Sequence, residues 1–423
     1  MRTDFSQLQL ADPTLAAAEK QLRSCVHCGI CTATCPTYVL LGDELDGPRG
    51  RIQLIQHMLQ SDTTPSDKVV THIDRCLSCL ACVSACPSGV DYPRLIDAAR
   101  AHIERKSNRP LPQRLLRLAL GTVLTRRWLM RPLLQLARLG VAVAPMLPSP
   151  LREAAKVATQ LPKPPRTRSL SKRYDAETKT AKRVALHIGC VQEVIAPRIT
   201  AATVRVLTRH GFEVTTIQGS GCCGALNHHL GQTQAAEHRA TALIDEVSAL
   251  EKSQPFDAIV TTASGCGAVM RDYGFQIQTH RPHASGFSSR IHDIADLLRD
   301  VPLRTGQAHK GTRVAYHSAC SLAHGMKQAP AALQILRSLG FDVVEPRDSL
   351  CCGSAGAYNV LQPEIAGKLQ RRKASTLMAT APQIVATGNI GCLAQIAAAV
   401  SVPVVHTIEL IDWATGGPSP FAT

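Results

Sequence analysis

Sixteen cysteines fall at 25, 28, 31, 35; 76, 79, 82, 86; 190, 222, 223, 266; and 320, 351, 352, 392, which is four groups of four. The first two groups read C-x2-C-x2-C-x3-C-P, in "CVHCGICTATCP" (25–36) and "CLSCLACVSACP" (76–87). Three thiolates spaced by two residues wrap one loop around a [4Fe–4S] cube and meet three of its irons. The fourth, three residues further on and followed by proline, faces away and serves the other cluster. This assigns Cys25, Cys28, Cys31 and Cys86 to one cluster, and Cys76, Cys79, Cys82 and Cys35 to the other. Two zinc knots or eight buried thiols are the alternatives, and a complete pattern in duplicate favours clusters. His27, inside the first loop, is expected to be partly exposed rather than a tuner of the cluster.

The other two groups contain adjacent cysteines, in "GSGCCGALN" (219–227) and "SLCCGSAGA" (349–357). Neighbouring side chains diverge by about 100° on a helix and point to opposite faces of a strand. The bracketing glycines let the backbone turn sharply, so both thiols can face one centre. The surrounding sequence is duplicated. "RVALHIGC" (183–190) aligns with "RVAYHSAC" (313–320), and the CCG triplets at 222 and 351 are 129 residues apart. Each copy alternates strand and helix, which implies an α/β module with a parallel sheet and its cysteines at the strands' carboxyl ends. Metal is therefore expected at Cys190, Cys222, Cys223, Cys266 and at Cys320, Cys351, Cys352, Cys392, as a further cluster or as zinc. Packing alone is the competing reading. Leu393 stands where the first copy has Gly267, which favours the first copy if only one is filled. His187 and His317 are expected to be core histidines at strand ends, with ligation the alternative; His228 and His229 are expected at the surface.

These motifs need elements to hold them. "PRGRIQLIQHMLQ" (48–60) and "PSDKVVTHIDRC" (65–76) carry apolar residues at helical spacing between the two ferredoxin-type runs. The fold expected is multidomain α+β: an all-α dicluster domain over 1–105, a connector over 106–182, and CCG modules over 183–310 and 311–423. Residues 100–183 hold 20 Lys and Arg against four acidic residues, a net of +16, against +15 for the whole chain. Within it, 111–147 reads as a basic amphipathic helix suited to an anionic membrane surface, a partner subunit, or packing between domains. Residues 161–173 read as a Pro-rich flexible linker. No stretch approaches about 18 uninterrupted apolar residues, and the first 24 residues lack a secretory apolar core, so a cytoplasmic location is expected. Disulfides are rare there, which returns the cysteines to metal. No G-x-G-x-x-G after a strand, P-loop or nucleophile elbow is present, so no catalytic residue of its own is expected. A nucleic-acid partner is not expected.

A dicluster run followed by paired CCG modules resembles one family of respiratory iron–sulfur subunits. It includes those of glycolate oxidase, lactate utilisation and anaerobic glycerol-3-phosphate dehydrogenase, and the heterodisulfide reductases. "CVHCGICTATCPTYVLLGDELDGPRGRI" (25–52) is most similar to the glycolate oxidase (glycolate dehydrogenase) iron–sulfur subunits. The resemblance implies an electron-transfer subunit of an oxidoreductase complex. FAD would sit on partner glycolate oxidase subunits that oxidise glycolate to glyoxylate. Electrons would leave towards a membrane quinone, with the chain peripheral to the inner face of the cytoplasmic membrane. A related lactate or glycerol-3-phosphate dehydrogenase, or a disulfide reductase of the heterodisulfide type, is the alternative; a zinc-stabilised scaffold around a redox-active N-terminal domain is another. The module ends here, "CGAV" (266–269) and "CLAQ" (392–395), lack the terminal C-x-x-C of the heterodisulfide reductases, which disfavours a five-thiolate non-cubane cluster.

Overall fold

The structure, a computed structural model, describes residues 1–139, 170–178, 182–252, 254–277, 283–306 and 310–421. The N-terminal part is helical, with helices at Pro13–Ser24, Pro48–Ser61, Asp67–Asp74 and Tyr92–Lys106. Their starts are written in the sequence. The Asp12 carboxylate accepts from the Thr14 and Leu15 amides ahead of Pro13, and the Ser66 hydroxyl accepts from the Val69 amide. One face of each helix supplies the core, with Leu22, Ile55, Leu59, Ile73, Leu95 and Ile103 fully buried. This core fixes the helices whose ends carry the two cysteine loops.

The first connector helix buries one arginine and leaves three leucines outside. In the helix Leu111–Val123, Arg117 is buried and donates to the Leu230 carbonyl at 2.8 Å and to Glu104 at 3.3 Å. Gly121 allows the close approach, since a Cβ there would lie 2.4 Å from Gln232 Oε1. Leu111, Leu115 and Leu118 are 66%, 56% and 60% exposed. The next helix, Arg127–Leu139, has Pro132 inside it. Residues 140–147 of the expected amphipathic segment, and 161–169 of the Pro-rich linker, lie outside the described residues. The linker's end is not coil: Arg173–Tyr174 forms β1, an antiparallel edge strand on β3.

The first module is a five-stranded sheet in the order β1-β3-β2-β4-β5, with β2 at Lys182–His187, β3 at Phe212–Ile217, β4 at Ala258–Thr261 and β5 at Ile291–Asp293. All its neighbours except β1 are parallel. The second is a four-stranded parallel sheet, β7-β6-β8-β9, from Arg313–His317 (β6), Asp342–Val344 (β7), Ile384–Thr387 (β8) and Val404–His406 (β9). The expected strands and helices are present, and Gly211 ends the helix Arg198–Arg209 with a left-handed φ of 87°. Helix Thr407–Ala414 follows β9 and packs on Arg198–Arg209 of the first module. There Asp412 accepts from Arg205 at 2.9 Å and from Arg209 at 3.1 Å. The copies also meet where Ser264 and Ser321 hydroxyls hydrogen-bond at 2.7 Å. A Cβ at Gly267 would stand 2.5 Å from Met326 Sδ. Gly267 is therefore a packing glycine at this interface, which explains its difference from Leu393 without reference to a metal.

Candidate metal centres

The two N-terminal loops bend alike. His27 and Gly29 have φ of 57° and 82°, and Ser78 and Leu80, at the same positions after the first cysteine, have 48° and 61°. Three of the four are not glycine. A left-handed residue costs about 1–2 kcal/mol and persists where its surroundings demand it. The bend turns successive cysteines of each loop toward one point. Cys25, Cys28, Cys31 and Cys86 line one cavity, together with Cys82. Cys35, Cys76, Cys79 and Cys82 line the neighbouring one. Pro48, Cys82 and Tyr92 form part of both linings. Amides point at sulfur, Val90 N to Cys86 and Ser78 N to Cys76, each at 3.5 Å. Four converging thiols with N–H donors behind them fit the demands of a [4Fe–4S] cluster.

The two cavities face different surroundings. The first is rimmed by exposed residues, Cys28 among them, with Val26 68% and Ile30 55% exposed. His27 beside them is half-buried. The second is covered by the second module: Leu77 and Cys79 pack with Cys320, Cys351, Tyr358 and Leu369. Tyr358 donates its hydroxyl to the Arg75 carbonyl at 2.9 Å across this junction. Behind Cys35 sits Arg51, fully buried, donating to the His72 carbonyl at 2.7 Å and ion-paired with Asp46 at 3.5 Å. Nothing in the sequence separated Arg51 from the surface arginines around it.

In the modules the cysteines gather at the carboxyl ends of the strands. Cys190 and Cys222 sulfurs lie 3.6 Å apart in the first, with Cys223 buried and Cys266 half-buried on the helix Ser264–Met270. In the second, Cys320 and Cys351 are 3.7 Å apart and Cys352 and Cys392 are 3.3 Å apart. The glycine after each pair is left-handed, Gly224 at 78° and Gly353 at 90°. A Cβ at either would come within 2.8 Å of a backbone oxygen, of Ala236 or Ala366 respectively. Only glycine fits. The approach to the first pair is held by Glu246, which accepts from the Gln218, Gly219 and Ser220 amides. Burial works against that charge, but the amides outweigh it and keep the carboxyl below the usual range.

His187 and His317 end β2 and β6 and are buried. Neither His187 nitrogen has a hydrogen-bond partner, nor has His317 Nε2. His228 and His229 are not surface residues as expected. They lie at the junction with the N-terminal domain, where His228 Nε2 is 3.0 Å from Asp97. The HH pair follows the CCG turn on one short helix, Ala225–His229, and that helix is pressed against Tyr92–Lys106.

Two families match the chain. A "4Fe-4S dicluster domain" covers residues 24–90, and a "Cysteine-rich domain" covers 184–271 and again 314–397. A protein named glycolate oxidase iron-sulfur subunit, from Escherichia coli, is 38% identical over 421 residues, covering 98% of this chain and 99% of that one. The chain belongs to the glycolate oxidase iron–sulfur subunit family. A probable glycolate oxidase iron-sulfur subunit from Bacillus subtilis is 30% identical, with 94% and 95% of the two chains covered. A lactate utilization protein A from Oceanobacillus iheyensis is 28% identical over 54% of this chain and 96% of its own. In this family member the two cysteine-rich matches fall on the two sheets, over β2 to β4 and over β6 to β8. Among the described residues no helix is long and apolar enough to cross a membrane.

Proposed function

We propose that this chain is the electron-relay subunit of a glycolate oxidase complex. It would receive electrons from a flavin-bearing subunit that converts glycolate to glyoxylate and pass them towards a membrane quinone. The observation that carries this reading is the pair of adjacent four-cysteine cavities, one rimmed by exposed residues and one covered by the second module. Bound clusters supply one-electron transfer. The chain's own residues hold and shield them, with Cys25, Cys28, Cys31 and Cys86 around one and Cys76, Cys79, Cys82 and Cys35 around the other. Arg51 and Tyr92 close the wall behind the sulfurs, and Val26 and Ile30 offer an apolar rim on which a redox partner can seat. Three units divide the work, an N-terminal cluster domain over 1–105 and modules over 183–310 and 311–423, tied by the connector 106–182. Both modules hold metal at their cysteine clusters, and the outward leucines of the connector seat the complex on the inner membrane surface.

Anaerobic co-purification tests the reading. The chain should bring down a flavoprotein, and glycolate should bleach the iron–sulfur absorbance of the pair. Flavin-containing co-purified material in which glycolate leaves that absorbance unchanged would overturn it.

A further inference from the structure

The two modules are duplicates, yet among the described residues only the second closes a set of imidazole and thiol donors. His317 Nε2 and the sulfurs of Cys352 and Cys392 all lie within 4.8 Å of one another. The three residues are 3%, 1% and 3% exposed. His317 Nε2 has no hydrogen-bond partner there. A buried polar atom left unpaired costs on the order of 1–3 kcal/mol, so an imidazole nitrogen aimed between two thiols calls for an occupant.

The sulfur spacing says what kind of occupant. Around one tetrahedral ion with metal–sulfur bonds of about 2.3 Å, neighbouring sulfurs stand about 3.8 Å apart. The 3.3 Å between the Cys352 and Cys392 sulfurs is near that size. Thiolates on a [4Fe–4S] cube each serve their own iron and must stand further apart. The N-terminal cysteines give the contrast within the same chain: among the described residues they line two cavities with no sulfur-to-sulfur hydrogen bond. Charge agrees. Three thiolates and an imidazole around a divalent ion leave one negative charge. The buried Lys373 lies beside it, tied to the Asp348 carbonyl at 2.5 Å and facing Cys351, Cys352 and Cys392. At the offset of 129 that aligns the CCG triplets, the first module has Ile244.

We infer that the second module binds a single zinc ion through His317, Cys352 and Cys392, with Cys351, next to Cys352 in the chain and equally buried, turning in as the fourth ligand. Imidazole with thiolates in a closed tetrahedron is the donor set of a structural zinc site. Cys320 then stays outside it, against Cys351 and the N-terminal Cys79. The site is a brace beneath the second cluster cavity and carries no electron. This inference rests on the reading that the modules hold metal, and not on the glycolate relay.

Metal analysis and zinc-edge X-ray absorption of the full chain, purified anaerobically without added metal, test it. Zinc should be present alongside about eight irons for two clusters, with a nitrogen neighbour in the zinc shell. His317→Cys should keep the zinc and lose the nitrogen signal; His317→Ala should lose about one zinc per chain while the iron stays. Zinc surrounded by sulfur alone in the unaltered protein, or an unchanged nitrogen signal in either variant, overturns the His317 site. About twelve irons and no zinc would replace it with a third cluster. No metal beyond the eight irons would overturn the module reading itself, and all of these outcomes leave the relay to be judged separately by glycolate reduction.

Discussion

Arg51 Nη1 donates to the sulfur of Cys35 at 3.7 Å, and its Nη2 donates to the Thr37 hydroxyl at 3.0 Å, which itself lies 3.2 Å from that sulfur. A guanidinium cannot lose its charge here, and both residues are buried. Reduction adds negative charge next to a fixed positive one, so Arg51 should raise the midpoint potential of the cluster beside Cys35.

Arg51→Met should therefore lower the midpoint of one of the two cluster signals and leave the other in place, as read by redox titration with electron paramagnetic resonance. Arg51→Lys should fall between. Removing the charge also weakens the pairing of the buried Asp46, a loss of roughly 3 kcal/mol in stability by analogy with other broken buried pairs. Equal shifts in both signals would contradict the placement.

Cys35→Ser tests the crossed arrangement. Cys35 lies 41 residues before Cys76 in the chain yet lines the cavity of Cys76, Cys79 and Cys82. The variant should damage that cluster and spare the one held by Cys25, Cys28, Cys31 and Cys86. Iron content should fall from about eight towards about four. Loss of the other cluster alone would show the ligation to be uncrossed.

The His228–Asp97 pair should make the junction between the N-terminal domain and the first module depend on pH. Burial alone would lower the His228 pKa, but the Asp97 carboxylate reverses this and raises it. For Asp97 burial acts upward, while His228 and His229 pull the net value down to about 2. A raised histidine stabilises fully below its unfolded value of about 6.5 and loses that contribution as pH rises through its folded value. The lowered aspartate contributes above about 3.9 and fails only in strong acid. The melting temperature of the unaltered protein should exceed that of His228→Gln by more at pH 6 than at pH 9. The gap should correspond to about 1–3 kcal/mol at its largest. A constant gap would mean that His228 is neutral throughout.

The outward face of the connector predicts binding to anionic vesicles. Trp128 is 71% exposed, with Leu115, Leu118 and Leu136 at 56%, 60% and 61%, and each nearby basic residue adds about 1 kcal/mol at such a surface. Trp128 fluorescence should shift to the blue with phosphatidylserine vesicles and return at high salt. Leu115→Ser with Leu118→Ser should weaken binding several-fold without changing iron content. Unchanged binding would assign this face to a protein partner.

Much of this was legible because metal ligation and strand periodicity both leave spacing behind. The eight N-terminal cysteines, the strands ending at His187 and His317, and the turns at Gly224 and Gly353 all follow from local rules. The burial of Arg117 was not legible because a helical pattern ranks faces by hydropathy. A long side chain whose head meets Glu104 and the Leu230 carbonyl can be buried while Leu115 and Leu118 are left outside. His228 failed for a similar reason: its partner Asp97 lies 131 residues earlier, and nothing local announces so distant a pairing. β1 was invisible as a strand because Arg173–Tyr174 is two residues long and pairs only with an edge.

The clasp between Asp412 and Arg205 and Arg209 sets an order of events on the ribosome. The two ends of this contact are separated by 207 residues. At about 5–20 residues per second, the helix Arg198–Arg209 waits on the order of 10–40 seconds for Thr407–Ala414 to be made. Over that interval its docking face and two arginines are uncovered, and the first module depends on whatever shelters a nascent chain. A ribosome stalled within the second module would therefore leave the first one open, even with every residue of its own sheet already synthesised.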